Sequence, residues 1–295
     1  MLPCPGAPYK TRSSPQQDVF EKVTGPMTFV QIIVLALIQG ITEFLPISSS
    51  GHLILVPAFT GWPDQGVVTD MVTNVGTLAA VIVYFWRDVL SMLRGVVDVA
   101  KRQVTRDSRL MLNVAIGTAP IIVVGLLLKA TGLDAHIRSS LLVACNLIVF
   151  GVFLYVTDAY GLAKRAITDM DWKTSLIIGV AQALSLSPGT SRSGVTMTAA
   201  RGLGFTRPEA ARFAFLLSIP ANGAASALII GEAIGSGESI SGAVVLTGVL
   251  TFFVALGTIT ALMRLVRHMS FLPFAVYRII LGVVLIAMIY SGTVN

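Results

Sequence analysis

Six stretches of this chain are long and apolar enough to cross a lipid bilayer: roughly 68–86, 110–129, 139–157, 210–231, 241–263 and 271–290. A hydrocarbon core about 30 Å thick takes about 20 helical residues, because each residue advances the helix by only about 1.5 Å. With no water at that depth, backbone N–H and C=O groups must pair within the segment, which a helix does for itself. The runs are continuously apolar rather than alternating, so helices and not strands are expected. Of the 295 residues, 54% are hydrophobic and 12% charged, about half the charge of a soluble domain. The fold class expected is an all-α polytopic membrane protein.

Two further apolar segments, 28–41 and 172–186, run for about fourteen residues and then meet proline and a serine cluster. Each is too short to cross alone, and irregular backbone at membrane depth is tolerated only where protein shields it or a wet cavity receives it. Two re-entrant helix-loop-helix hairpins are therefore expected. The two places resemble each other at a constant offset of 143 residues, which pairs Gln39 with Gln182, Ser48 with Ser191, Ser50 with Ser193 and Gly51 with Gly194. Pro46 and Pro188 precede the two motifs one residue out of step. Each motif is followed by three full spans. A hairpin that returns to its own side plus three crossings reverses the second half relative to the first, so the pattern predicts an inverted repeat, with repeat 1 at about 27–160 and repeat 2 at about 170–295 of one membrane domain.

The net charge of +6 matters less than where the charges fall, and it does not point to nucleic acid. Arg87, Arg94, Lys101, Arg102, Arg106 and Arg109 are read as one loop; Lys164, Arg165 and Lys173 lie in a second; Arg201, Arg207 and Arg212 in a third; Arg264 and Arg267 precede the last span. Six crossings put all of these on one side, which the positive-inside rule makes cytoplasmic. The turn after Gly231 carries Glu232 and Glu238 without a base. The first hairpin then opens outward, the second inward, and their serine tips meet near the midplane. Residues 1–26 lack an apolar signal-peptide core and are read as a disordered tail or a leader. Cys4 and Cys145 form no CxxC and imply neither a disulfide framework nor a zinc site. The small-residue stretches beginning at Gly117 and Ala221 suit close helix packing within the chain or between two copies, a homodimer.

The polar residues at the hairpin tips carry the chemistry. Glu43, four residues after Gln39 on one helix face, stands where an ionised carboxylate is expensive. PISSSGH (46–52) and PGTSRSG (188–194) place small hydroxyl residues and glycine after proline, a pattern that turns tightly and starts a helix whose N-terminal amides favour phosphate. Arg192 adds a planar fork for phosphate oxygens. His52 follows Ser49 by three, which on a helix sets imidazole over hydroxyl as a base over a nucleophile, or as a donor to a leaving oxygen. His136 and His268 carry no such context. Asp70 and Asn74, four apart at the end of the first span, are candidates to line the mouth of the same cavity.

At these residues the sequence resembles the bacterial undecaprenyl-pyrophosphate phosphatases of the bacitracin-resistance type. EFLPISSSGH (43–52) and PGTSRSG (188–194) match the family's two signature motifs, and FLPFAVYR from Phe271 resembles its C-terminal stretch. The resemblance runs from about Met27 to the end. It implies removal of the terminal phosphate from a C55 polyprenyl diphosphate in the bacterial plasma membrane, so that the carrier lipid of cell-wall synthesis is reused. It further implies a site facing the periplasm, with the polyprenyl tail among the helices. Carried over, the catalytic residues are Glu43, Ser49, His52 and Arg192, with either Ser49 or His52 as nucleophile. Gln39, Ser48, Ser50, Gly51, Ser191, Ser193 and Gly194 are then the substrate-binding set. The resemblance also implies magnesium or calcium, with Glu43 as the nearest hard ligand. Many relatives have a second glutamate where this chain has Gln39, so a two-carboxylate metal site is not expected here. The rival reading is a polyprenyl-phosphate translocase or anion transporter, because broken helices meeting at the midplane also build carriers; a base beside a nucleophile favours the enzyme.

Overall fold

The computed structural model describes residues 28–63, 66–132, 139–235 and 241–292; the expected tail at 1–26, Glu238 and His136 lie outside them. Among the described residues the regular structure is helical: α1 (Phe29–Thr42), α2 (Ser49–Thr60), α3 (Val67–Tyr84), α4 (Trp86–Ala100), α5 (Arg106–Thr131), α6 (Ser140–Tyr160), α7 (Trp172–Ala183), α8 (Arg192–Gly202), α9 (Arg207–Gly235), α10 (Gly242–Leu265) and α11 (Leu272–Tyr290). Six of these, α3, α5, α6, α9, α10 and α11, have the length and apolarity to cross a membrane, and they coincide with the six expected spans to within a few residues. The chain is a multi-pass membrane protein.

The other helices are short. α1 and α2 have 14 and 12 residues, α7 and α8 have 12 and 11. They form two pairs, each folded about one of the serine motifs.

The pairs are held crosswise. α1 packs on α10, and α7 packs on α5, so each hairpin leans on a span from the other half of the sequence. Glycine permits the approach: a side chain on Gly179 would collide with the carbonyl of Gly117, and one on Gly40 with Val254. The small-residue stretch at Gly117 thus serves packing inside the chain. Phe44, 2% exposed, anchors the first tip in the core against Phe215, with ring centroids 5.3 Å apart in an edge-to-face arrangement worth about 1 kcal/mol beyond burial.

The basic segments gather at one end of the bundle, but three of the expected loops prove structured. Residues 87–109 are largely helix: α4 sets Trp86, Leu90, Leu93 and Val97 outward, and α5 begins at Arg106 behind a Thr105 capping box. Arg201 lies in α8 and is only 1% exposed; Arg207 and Arg212 open α9. These are paired charges. Asp158, at the end of α6, accepts from Arg201 Nε (2.9 Å), from Arg207 Nε (2.7 Å) and from the backbone N–H of Phe271 (2.8 Å), tying the ends of α6, α8, α9 and α11 into one node. Arg212 pairs with Asp88 of α4, and the backbone N–H groups of Lys164 and Arg165 donate to Gly204. At the opposite end Glu232 belongs to α9 and forms an ion pair with Lys129, so that end does carry a base.

Candidate active site at the two tips

α1 ends where Pro46 forbids its continuation, because proline disfavours helical geometry in the preceding residue and lacks the donor the next turn would need. The chain then passes through Ser48, whose φ of 74° is a left-handed conformation that costs a non-glycine residue about 1 kcal/mol. The consequence is local: this turn folds Ser49 back over the end of α1. Its hydroxyl donates to Glu43 Oε2 at 2.8 Å, and the same oxygen accepts from Gln39 Nε2 at 3.2 Å. Gln39, 3% exposed, gives its second hydrogen to Asn74 Oδ1 at 3.1 Å. Asn74 donates in turn to the carbonyl of Asp70 (2.9 Å), so Asn74 supports the first tip through Gln39 while Asp70 sits in the first turn of α3.

His52 does not pair with Ser49. Its Nδ1 lies 2.7 Å from the Ser48 carbonyl oxygen, and its Nε2 lies 2.7 Å from the hydroxyl of Tyr277 on α11. A three-residue spacing stacks two side chains only on a continuous helix face; the bend at Ser48 and the beginning of α2 at Ser49 redirect both side chains.

The second tip repeats the first in detail. Ser191 has φ 67° and ψ 114° against 74° and 102° for Ser48, and each residue immediately precedes a helix. The Ser48 and Ser50 hydroxyls are 3.1 Å apart, those of Ser191 and Ser193 3.2 Å. Ser50 accepts from the Gly189 N–H (3.2 Å) on the second tip, while Ser193 donates to the Glu43 (3.1 Å) and Leu45 (3.2 Å) carbonyls on the first. The tips therefore clasp each other. Gly51 is buried against Leu147, and Gly194 leaves the space through which the Arg278 guanidinium passes.

Arg278 is the residue that motif reading missed. Wholly buried, it donates to the carbonyls of Thr190 (2.8 Å), Gly189 (3.1 Å) and Pro46 (3.3 Å), joining both tips, and to those of Leu147 (3.4 Å) and Asn146 (3.5 Å). An arginine in the middle of an apolar span was itself the available signal, since such a charge is retained only for a partner or a function. Asn146 also reaches the second tip, donating to Ser187 Oγ and to the Pro188 carbonyl, both at 2.7 Å.

Arg192 behaves differently. Its Nε and Nη1 are buried and have no hydrogen-bond partner among the described residues, although the charge of Glu43 is near enough to act on it. Unpaired guanidinium nitrogens at this depth are costly unless an anion completes them. Two arginines against one carboxylate leave the clasp electropositive, which suits a multiply charged ligand. The hydroxyl of Ser49 beside the Glu43 carboxylate has the geometry of a nucleophile beside its base.

Comparison with known proteins agrees in kind. A family model described as Bacitracin resistance protein BacA matches residues 32–284. The undecaprenyl-diphosphatase of Erythrobacter litoralis is 44% identical over 283 residues, covering 88% of this chain and 99% of the relative. Those of Roseobacter denitrificans and Chromohalobacter salexigens are 44% and 46% identical over 269 and 262 residues, with 90% and 88% of this chain and 100% and 98% of the relatives covered.

Proposed function

The chain belongs to the BacA bacitracin-resistance family, and from that premise we propose that it hydrolyses undecaprenyl diphosphate to undecaprenyl phosphate and inorganic phosphate, recycling the carrier lipid for peptidoglycan synthesis and conferring bacitracin resistance. The observation that carries this reading is the buried Arg192, with two nitrogens unfilled, across from a serine hydroxyl already bound to a carboxylate.

In the mechanism that fits these contacts, the terminal phosphate lies against Arg192 and the two tips. Ser49 Oγ attacks its phosphorus, Glu43 takes the hydroxyl proton, and the P–O bond to the bridging oxygen breaks, releasing undecaprenyl phosphate. Water then attacks the phosphoserine, and its proton passes through the Tyr277 hydroxyl to His52 Nε2 and from there to solvent. The Ser49 oxygen leaves, recovering its proton from Glu43. Arg192 and the α2 amides offset the charge that moves to the leaving oxygens. The Ser49 to Glu43 bond favours serine as the nucleophile, and an imidazole with both nitrogens already hydrogen-bonded has no free lone pair for attack, which leaves it proton transfer along the bond to Tyr277.

The chain's own ligands for a divalent cation are few. Among the described residues no three His, Cys, Asp or Glu side chains converge, and Gln39 turns its amide nitrogen toward Glu43. That donor set fits magnesium or calcium arriving on the diphosphate, which would supply most of the oxygens, with the Glu43 carboxylate as the protein's ligand. Such an ion would neutralise phosphate charge.

In the membrane, α1 with α2 and α7 with α8 act as re-entrant hairpins in an inverted repeat, the first opening outward, with the site facing the periplasmic side of the bacterial plasma membrane. The shortness of the four helices and the matching conformations at Ser48 and Ser191 support this arrangement.

Purified protein in detergent should release phosphate from C55 diphosphate, and Ser49→Ala and Arg192→Ala should lose that release while keeping the wild-type melting profile. Tight lipid binding without phosphate release by the wild type would instead establish the translocase.

A further inference from the structure

The two nitrogens of His52 have different partners, and the difference fixes the ring's protonation. A carbonyl oxygen only accepts, so Nδ1, 2.7 Å from Ser48 O, carries the hydrogen. In the neutral ring Nε2 then holds the lone pair, and the Tyr277 hydroxyl, 2.7 Å away, is its donor. The two rings lie parallel within 2°, with centroids 5.6 Å apart, so Tyr277 sets the plane of the imidazole as well as its tautomer. Free imidazole side chains favour the opposite tautomer in water; here the surroundings hold the Nδ1–H form.

Tyr277 also occupies a junction. It lies next to Arg278, which joins the two tips, and it lines an apolar cavity of about 430 Å³ together with Leu37, Ile41 and Phe274, with His52 at the edge. α11 thus addresses the site with two consecutive residues. Arg278 fixes the backbone of the tips, and Tyr277 fixes the one titratable ring beside them.

We propose that Tyr277 positions His52 and carries its proton: it holds the Nδ1–H tautomer, and its hydroxyl, seated on the lone pair of Nε2, passes on the proton that Nε2 takes up. The inference rests on the phosphatase reading above. When the attacking water gives up its proton, the Tyr277 oxygen takes it while the hydroxyl hands its own hydrogen to Nε2; when the imidazolium is discharged the exchange runs back. Tyr277 exchanges one hydrogen for another in each step and ends it neutral, so its contribution falls on turnover rather than on lipid affinity.

The test compares wild type, Tyr277→Phe and Tyr277→Leu in purified form, measuring phosphate release from C55 diphosphate, thermal unfolding, and the ¹⁵N spectrum of histidine-labelled protein. The chain has only three histidines, and the His52 signals are those lost in His52→Gln. Tyr277→Phe keeps the ring and the apolar wall and removes only the hydroxyl. Its kcat should fall about 100-fold, the lower end of what a positioned proton-transfer group contributes, with KM within about twofold, the melting temperature unchanged, and the His52 nitrogens shifted toward mixed tautomers. Tyr277→Leu should reproduce the kcat loss. Wild-type kcat in Tyr277→Phe, or unchanged His52 nitrogen shifts in a variant whose kcat falls, would overturn the proposal. A wild type that releases no phosphate overturns the phosphatase reading and the kinetic role with it, whereas the ¹⁵N spectra still decide the tautomer assignment.

Discussion

The two tips share a backbone and divide the chemistry. Ser48 and Ser191 adopt nearly the same strained conformation, and the serine two residues later makes the same hydroxyl contact in both. Only the first tip carries a carboxylate and an imidazole, Glu43 and His52; the position 143 residues beyond Glu43 is Leu186. Only the second carries a free guanidinium, Arg192. The caps differ too. Ser191 Oγ accepts from the Gly194 N–H at 3.1 Å, whereas Ser48 makes no side-chain cap bond. A duplicated turn is a way to place two helix starts face to face; asymmetric side chains then turn a binding clasp into one that can react.

The sharpest test of that division removes the charged group of each tip separately and then both. Glu43→Gln and Arg192→Gln should each lower kcat about 10³-fold, the upper range for a single preorganised group. Because they act on one transition state, the double variant should lose little more than either single. Phosphate-release kinetics check this, and a loss that multiplies would mean the tips work independently.

Arg278→Met probes what the tips share. Leaving buried carbonyls at Pro46, Gly189 and Thr190 without their donor should cost about 3 kcal/mol and lower kcat/KM as the clasp loosens. Denaturation in detergent reads the first effect and the phosphate assay the second. Unaltered stability would show that the serine contacts alone hold the tips.

Gln39→Glu makes the first tip more acidic without touching the second. The concentration of magnesium giving half-maximal activity should fall about tenfold, the lower end for a changed metal ligand. Titration of EDTA-stripped protein would expose the opposite result.

The smallest effect compares the caps. Glycine relieves the left-handed strain at either position, but Ser191→Gly also loses a cap bond and Ser48→Gly does not. The first variant should be less stable than the second by about 0.3 kcal/mol. Equal stabilities would remove the distinction between capped and open helix starts.

Most of the scaffold was legible because its signals are local. Apolar length marked the six spans, and Pro46 and Pro188 marked where the short helices stop. The charges of α4 suggest a loop while its period does not: Trp86, Leu90, Leu93 and Val97 recur at helical spacing with Arg87 and Arg94 between them. The pairing of Ser49 with Glu43 rather than with His52 was hidden for a different reason. It depends on a positive φ at Ser48, and serine does not announce that conformation as glycine would. Arg278 and Asp158 draw their roles from partners more than a hundred residues away, Pro46 and Phe271. Spacing within one motif cannot report such contacts, although a charge inside an apolar span invites the question.

The bond from Arg278 to Pro46 joins residues 232 apart in the chain. During synthesis α1 and α2 emerge first and α11 almost last, so the first tip must wait, its Pro46 carbonyl without the Arg278 guanidinium, until nearly the whole polypeptide has been made. Biogenesis thereby acquires a checkpoint: a nascent chain released before α11 holds every motif residue of both tips and still lacks the side chain that locks them together.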